Sequence, residues 1–107
     1  IDSQIVLDGG AVIDTRNLSL RDGGGEVRFT RREVDVLQYL AGHGERPVSR
    51  EELLHKVWGY ARDSGIETRT VDIHIARLRR KIEADPKQPQ RLVTVRGGGY
   101  RLVTVSP

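Results

Sequence analysis

Five cations crowd into thirteen residues. Arg69, Arg77, Arg79, Arg80 and Lys81 stand against a single acid, Asp72. Guanidinium groups at that density suit phosphate, which they bind bidentately, and the edge of guanine, whose O6 and N7 accept the same fork. Spacing sorts them further. Val71, Ile75, Leu78 and Ile82 recur at offsets that, at about 100° per residue, fall in one apolar stripe and predict a helix facing a core. The opposite arc carries Arg69, Ile73, Ala76, Arg77 and Arg80, with Thr70 and Asp72 at its edges. Such an arc fits a DNA major groove, where Arg meets guanine or phosphate and small apolar groups meet thymine methyls. Two residues keep a plainer alternative. Ile73 could be a tolerated exposed aliphatic. Asp72 could complement the helix start or hold a neighbouring Arg instead of accepting from cytosine. Arg79, about 80° from the stripe centre, is expected in an intramolecular salt bridge or on phosphate.

A second basic cluster follows. Arg96 precedes Gly97, Gly98 and Gly99, and Arg101 comes two residues after them. Between strand-like runs this predicts a hairpin with a thin, flexible tip, mobile when free, through which Arg96 can enter a narrow minor groove. Thr94 adds a hydroxyl for phosphate, and Arg50, which opens another helix, is a sequence-independent phosphate contact. The charge is unevenly spread: residues 1–45 hold five Arg against eight acids, whereas residues 46–107 hold thirteen Lys and Arg against seven acids.

Competing chemistries fare worse. With no Cys and no Met, thiolate metal sites, Cys nucleophiles and disulfides are excluded. His43, His55 and His74 share no ligand spacing; His74 could touch phosphate. Glu51 and Glu52 are neighbours on a helix rather than opposed across a cleft, and Ser49 is better used as a cap, so an enzyme is not expected. Neither Gly run is followed by Lys-Ser/Thr, which argues against a nucleotide cradle. No cofactor is implied. A protein-interaction module is the alternative from another class.

The elements that must hold these residues can be drawn from the same chain. At 107 residues, 36% apolar and 31% charged, one domain with one core is expected. Short apolar stretches broken by Asp-Gly and Gly-Gly signals predict four antiparallel strands over residues 1–29. Thr30 with Glu33, and Ser49 with Glu52, mark two helix starts in the manner of a capping box. The first helix runs roughly from Arg31 to His43, and the second carries Leu53, Leu54, Val57 and Trp58 on one side and stops at Gly59, with Trp58 as a core anchor. Asp85-Pro86 is expected to stop the third helix. Strands at Arg91–Val95 and Tyr100–Val105 form the terminal hairpin, and Pro47-Val48 could add an extended piece. The absence of an apolar run of about 20 residues or of a signal peptide makes a cytoplasmic setting the default, and the start at Ile1 suggests a piece of a longer polypeptide.

Strands, three helices with a basic third, and a Gly-tipped hairpin describe an α+β winged helix-turn-helix: residues 1–29 a sheet, 30–86 a three-helix core, 91–105 the wing. The runs Phe29-Thr30-Arg31-Arg32-Glu33, Val48-Ser49-Arg50-Glu51-Glu52-Leu53-Leu54, Val57-Trp58-Gly59, Arg69-Thr70-Val71-Asp72-Ile73-His74-Ile75, Leu78-Arg79-Arg80-Lys81-Ile82 and Thr94-Val95-Arg96-Gly97-Gly98-Gly99-Tyr100-Arg101 resemble the C-terminal effector domain of OmpR/PhoB-type response regulators. The resemblance implies promoter DNA as partner, with the third helix in the major groove and the wing in the minor groove. It carries DNA contact onto Arg69, Thr70, Asp72, Ile73, His74, Ala76, Arg77 and Arg80, and onto Thr94 and Arg96. It also implies a receiver domain before this one, contact with RNA polymerase through the loop Tyr60 to Glu67, and a monomer that pairs on DNA repeats in the full-length protein.

Overall fold

The computed structural model describes residues 3–61 and 65–105. Four short strands, β1 (Gln4–Val6), β2 (Val12–Asp14), β3 (Ser19–Asp22) and β4 (Gly25–Arg28), pair antiparallel in sequence order. The register sets Ile5 opposite Ile13 and Leu20 opposite Val27, so alternate residues turn to one face, where Ile13 and Leu20 are buried. The other face carries Arg21, Glu26 and Arg28 to solvent.

Helix α1 (Arg31–Gly42) opens with a complete capping box: the Glu33 N–H donates to Thr30 Oγ1 at 3.1 Å and the Thr30 N–H donates to Glu33 Oε1 at 2.8 Å. Val34, Val36, Leu37 and Leu40 face inward. Helix α2 (Arg50–Lys56) has half of that box. Ser49 Oγ accepts from the Glu52 N–H at 3.0 Å, but the Glu52 carboxylate turns to stronger donors, the Arg46 guanidinium at 2.8 and 2.9 Å and the Tyr39 hydroxyl. Arg46 first, then Tyr39, holds the Glu52 carboxyl down to about 2. α2 closes at Lys56, before Trp58. That ring packs against the core cluster from its edge, half-buried instead of central: the Arg32 guanidinium lies over it at 5.1 Å and the His74 ring meets it edge-on at 5.0 Å.

Helix α3 (Arg69–Ile82) buries Val71, Ile75, Leu78 and Ile82, as the stripe requires. Fully burying each such side chain contributes about 1.5–3 kcal/mol. Lys81 ties α3 to α1 by donating to the buried Glu33 carboxylate at 2.7 Å. The helix ends three residues short of Asp85. Glu83 already has extended angles (φ −98°, ψ 143°) because its buried carboxylate accepts from the N–H groups of Gln90, Arg91 and Leu92 at 2.7 to 3.1 Å, which an α-helical Glu83 would aim elsewhere.

The terminal hairpin consists of β5 (Leu92–Val95) and β6 (Gly99–Leu102), with Leu92 and Leu102 in the core. Residues beyond Leu102 leave it. Thr104 bridges Leu7, and the Val105 N–H donates to the Val6 carbonyl at 2.9 Å, so this end of the chain borders the first sheet. Val48, in the extended piece between α1 and α2, pairs with Tyr100. One contiguous apolar cluster joins both sheets and all three helices.

Candidate nucleic-acid interface

The buried stripe fixes the rotation of α3, and the rotation decides what the solvent meets. Arg69, Ile73, Ala76, Arg77 and Arg80 are all exposed, Ile73 to 47%. Thr70, Asp72 and His74 are half-buried at the edges. Among the described residues, the side chains of Arg77 and Arg80 have no hydrogen-bond or ion-pair partner, so two free cations share the outward arc with an exposed aliphatic and a methyl. That surface can receive phosphate and guanine edges on its charges and a thymine methyl on Ile73.

The edge residues are held from within. Asp72 accepts from Arg50 Nη1 on one carboxylate oxygen and from the Tyr100 hydroxyl on the other, both at 2.7 Å. Of the two readings of Asp72, the geometry supports the intramolecular one, and it gives Arg50 a protein partner as well. Burial first, and the bond to Asp72 second, push the Tyr100 hydroxyl up to about 12. The His74 Nδ1 donates to the Thr70 carbonyl at 3.1 Å, since that carbonyl can only accept.

Arg79 lies between helix and hairpin. Its Nε donates to the Leu92 carbonyl at 2.9 Å, its Nη2 donates to Thr94 Oγ1 at 2.8 Å, and its guanidinium sits 5.5 Å from the centre of the Tyr100 ring. The expected salt bridge is not formed among the described residues: the partners of Arg79 are a carbonyl, a hydroxyl and an aromatic ring, with no acid. Thr94 is exposed and accepts from Arg79, which leaves its own hydroxyl proton for an outside acceptor.

Two of the three glycines at the wing tip lie against the segment between α1 and α2, and Gly97 stands in open space. A Cβ at Gly98 would come within 2.9 Å of Pro47 Cγ, and one at Gly99, where φ is +113°, would overlap the Val48 carbonyl. The glycines let the hairpin seat against the segment between α1 and α2. Arg96, exposed at the start of the turn, projects beside Ser49 and Arg50 across an open groove. Of the loop Tyr60 to Glu67, residues 62–64 lie outside the described residues; Tyr60 and Ile66 at its ends are exposed.

Sequence reasoning missed Tyr100, whose hydroxyl partner is 28 positions away, and the Arg91–Glu83 staple. Arg91 donates to the carbonyls of Ile82 and Asp8 and to the Asp22 carboxylate, binding α3, the hairpin and the first sheet. No local spacing signals such contacts. Among the described residues no group of three His, Asp or Glu side chains could hold a metal ion, and no described helix is long and apolar enough to cross a membrane.

Sheet, three helices with an outward basic third, and a docked hairpin define a winged helix-turn-helix domain. A family model described as "Transcriptional regulatory protein, C terminal" matches residues 24–102, and the chain belongs to that family, which is a regulator family and not an enzyme class. The probable transcriptional regulator ycf27 of Porphyra purpurea is 39% identical over 99 residues, covering 92% of this chain and 41% of that protein. The sensory transduction protein RegX3 of Mycobacterium tuberculosis is 42% identical over 98 residues, covering 91% and 42%. The chain thus spans about two fifths of the length of these curated relatives. Among solved structures, the DNA-binding domain of Klebsiella pneumoniae RstA in complex with the RstA box superposes with a TM-score of 0.78 at 32% identity, over 95% of this chain and 98% of that one. The response regulator DrrB, a Thermotoga maritima OmpR/PhoB homolog, superposes with 0.76 at 29% identity, over 92% and 44%.

Proposed function

We propose that this domain binds duplex DNA with sequence preference and regulates transcription as the effector part of a two-component response regulator. The observation that carries the reading is the outward arc of α3, where Arg77 and Arg80, without partners among the described residues, share a surface with exposed Ile73 and Ala76 on a helix whose rotation the core fixes. The likeness to the RstA domain, solved on its DNA box, supports it.

In this reading α3 enters the major groove. Arg77 and Arg80 meet guanine edges or phosphates, Ile73 and Ala76 meet thymine methyls, and Arg69, Thr70 and His74 meet the backbone. The wing follows the neighbouring minor groove, with Arg96 inserted and the Thr94 hydroxyl on a phosphate. Arg50 adds a phosphate contact with its second guanidinium nitrogen while Asp72 keeps the first, and Asp72 orients Arg50 instead of reading a base. A receiver domain precedes this one in the full-length, cytoplasmic protein; the isolated domain is a monomer, and the full-length protein pairs on DNA repeats. The loop from Tyr60 to Glu67 meets RNA polymerase. Selection of bound duplexes from a random pool tests the core of this account. A recovered consensus bound at least about a hundredfold more tightly than its scrambled version is expected, and equal affinity for the two overturns the reading.

A further inference from the structure

The hairpin is fastened to α3 at two points, and a two-point attachment prevents the rotation that a single contact would allow. Asp72, in the first turn, accepts from the Tyr100 hydroxyl of β6 at 2.7 Å. Arg79, seven residues on and about 10 Å further along the helix axis, donates to the Leu92 carbonyl and Thr94 hydroxyl of β5 and covers the Tyr100 ring. Tyr100 is held on its other side too, through backbone hydrogen bonds with Val48 of 2.8 and 2.9 Å. Tyr100 is 9% exposed and the Asp72 side chain 34%, so the bond between them is part-buried at the edge of the core.

Resting on the DNA-binding reading above, we infer that Asp72, Tyr100 and Arg79 are positioning residues that make α3 and the wing one rigid head and set the spacing between the core site read by α3 and the flank read by Arg96. None of the three needs to touch a base to do this. Specificity arises because Arg77 and Arg96 are held at a fixed separation, and one extra base pair between core and flank shifts the flank by about 3.4 Å and rotates it by about 35°. A head that cannot twist must give up one of its two grips.

Two substitutions loosen the attachment while keeping net charge, so that the general attraction to phosphate is unchanged. Tyr100→Phe removes the hydroxyl and leaves the ring; Arg79→Lys keeps the cation but loses the fork that spans Leu92 and Thr94. The experiment measures affinity of the domain, parent and Tyr100→Phe/Arg79→Lys, for three duplexes: the selected site, the same site with one base pair inserted between core and flank, and the core alone. The parent is expected to lose about tenfold or more on insertion and the double variant less than about threefold, with core-alone affinities within about threefold of each other. An equal insertion penalty in both proteins, or none in the parent, overturns the inference while leaving DNA binding intact. A parent that fails to prefer the selected over a scrambled duplex overturns the binding reading instead. Should circular dichroism show the double variant unfolded, Tyr100→Phe alone decides: a penalty reduced about threefold supports the rigid head, and an unchanged one contradicts it.

Discussion

Val48 and Tyr100 pair as an isolated antiparallel bridge, each donating its N–H to the other's carbonyl at 2.8 and 2.9 Å. The bridge draws β6 so close to the segment between α1 and α2 that residue 99 has no room for a side chain. The glycines of the wing are therefore unequal. Gly99 combines φ +113° with that collision, whereas Gly97, at φ +77°, has nothing within 4 Å of where a Cβ would stand. Gly97→Ala is expected to lower stability by about 1–2 kcal/mol, the penalty of a left-handed residue with a side chain, and Gly99→Ala by at least about twice that, because backbone must move as well. Urea denaturation of the two variants checks this; equal losses would mean that the wing is not seated on Val48.

Ile73 and Ile75 stand two residues apart on α3, one 47% exposed and the other 1%. Ile75→Ala is expected to cost about 2–5 kcal/mol in thermal or chemical unfolding, and Ile73→Ala no more than about 0.5 kcal/mol. On DNA the order reverses in meaning: Ile73→Ala weakens binding only where the contacted base is thymine. A stability loss for Ile73→Ala as large as that for Ile75→Ala would contradict the assigned rotation of the helix.

The Glu52 carboxyl is lowered from the ordinary 4.5 to about 2 by Arg46 and then Tyr39. Its folded value lies below its unfolded one, so the stability it contributes is fully present above about pH 5 and is lost as pH falls towards 2. Glu52→Gln is expected to be about 1 kcal/mol less stable than the parent near pH 6, with the gap closing as the pH falls through 3. Urea titrations across that range check it, and a gap independent of pH would remove Glu52 from the acid response.

Residues 46–107 carry thirteen Lys and Arg against seven acids. If about five or six phosphates are neutralised in the complex, log affinity should fall against log salt with a slope of about −5. Fluorescence anisotropy at several salt concentrations measures it. A slope near zero would deny a phosphate-dominated interface.

What could be read from the chain alone was whatever is local and periodic. The stripe Val71, Ile75, Leu78 and Ile82 repeats at the helical period, and Thr30 lies three residues before Glu33, so helix rotation and start follow from short-range geometry. Arc residues Ile73, Arg77 and Arg80 came with them. Contacts between elements left no such trace. Tyr100 finds Asp72 across 28 positions and Arg91 finds Asp22 across 69, and nothing in either residue's surroundings in sequence marks its partner. The same holds for the end of α3, which Glu83 sets by reaching forward to backbone N–H groups near Arg91, ahead of the stop signal that Asp85-Pro86 provides in sequence. The seat of the wing is hidden for a related reason: a glycine chosen for freedom, as at Gly97, and one chosen for close approach, as at Gly99, are the same letter, and only the position of Val48 distinguishes them.

The central claim is that α3 reads base identity through its outward arc, and Arg77→Ala tests it most directly. Affinities of the parent and the variant are measured at one salt concentration on the selected duplex and on a scrambled duplex of equal length. The account predicts a loss of about 1–3 kcal/mol on the selected site, a far smaller loss on the scrambled one, and relaxed preference at the base pair Arg77 contacts. Equal losses on both duplexes would reduce Arg77 to a phosphate contact, and no loss on either would take the face of α3 out of the interface.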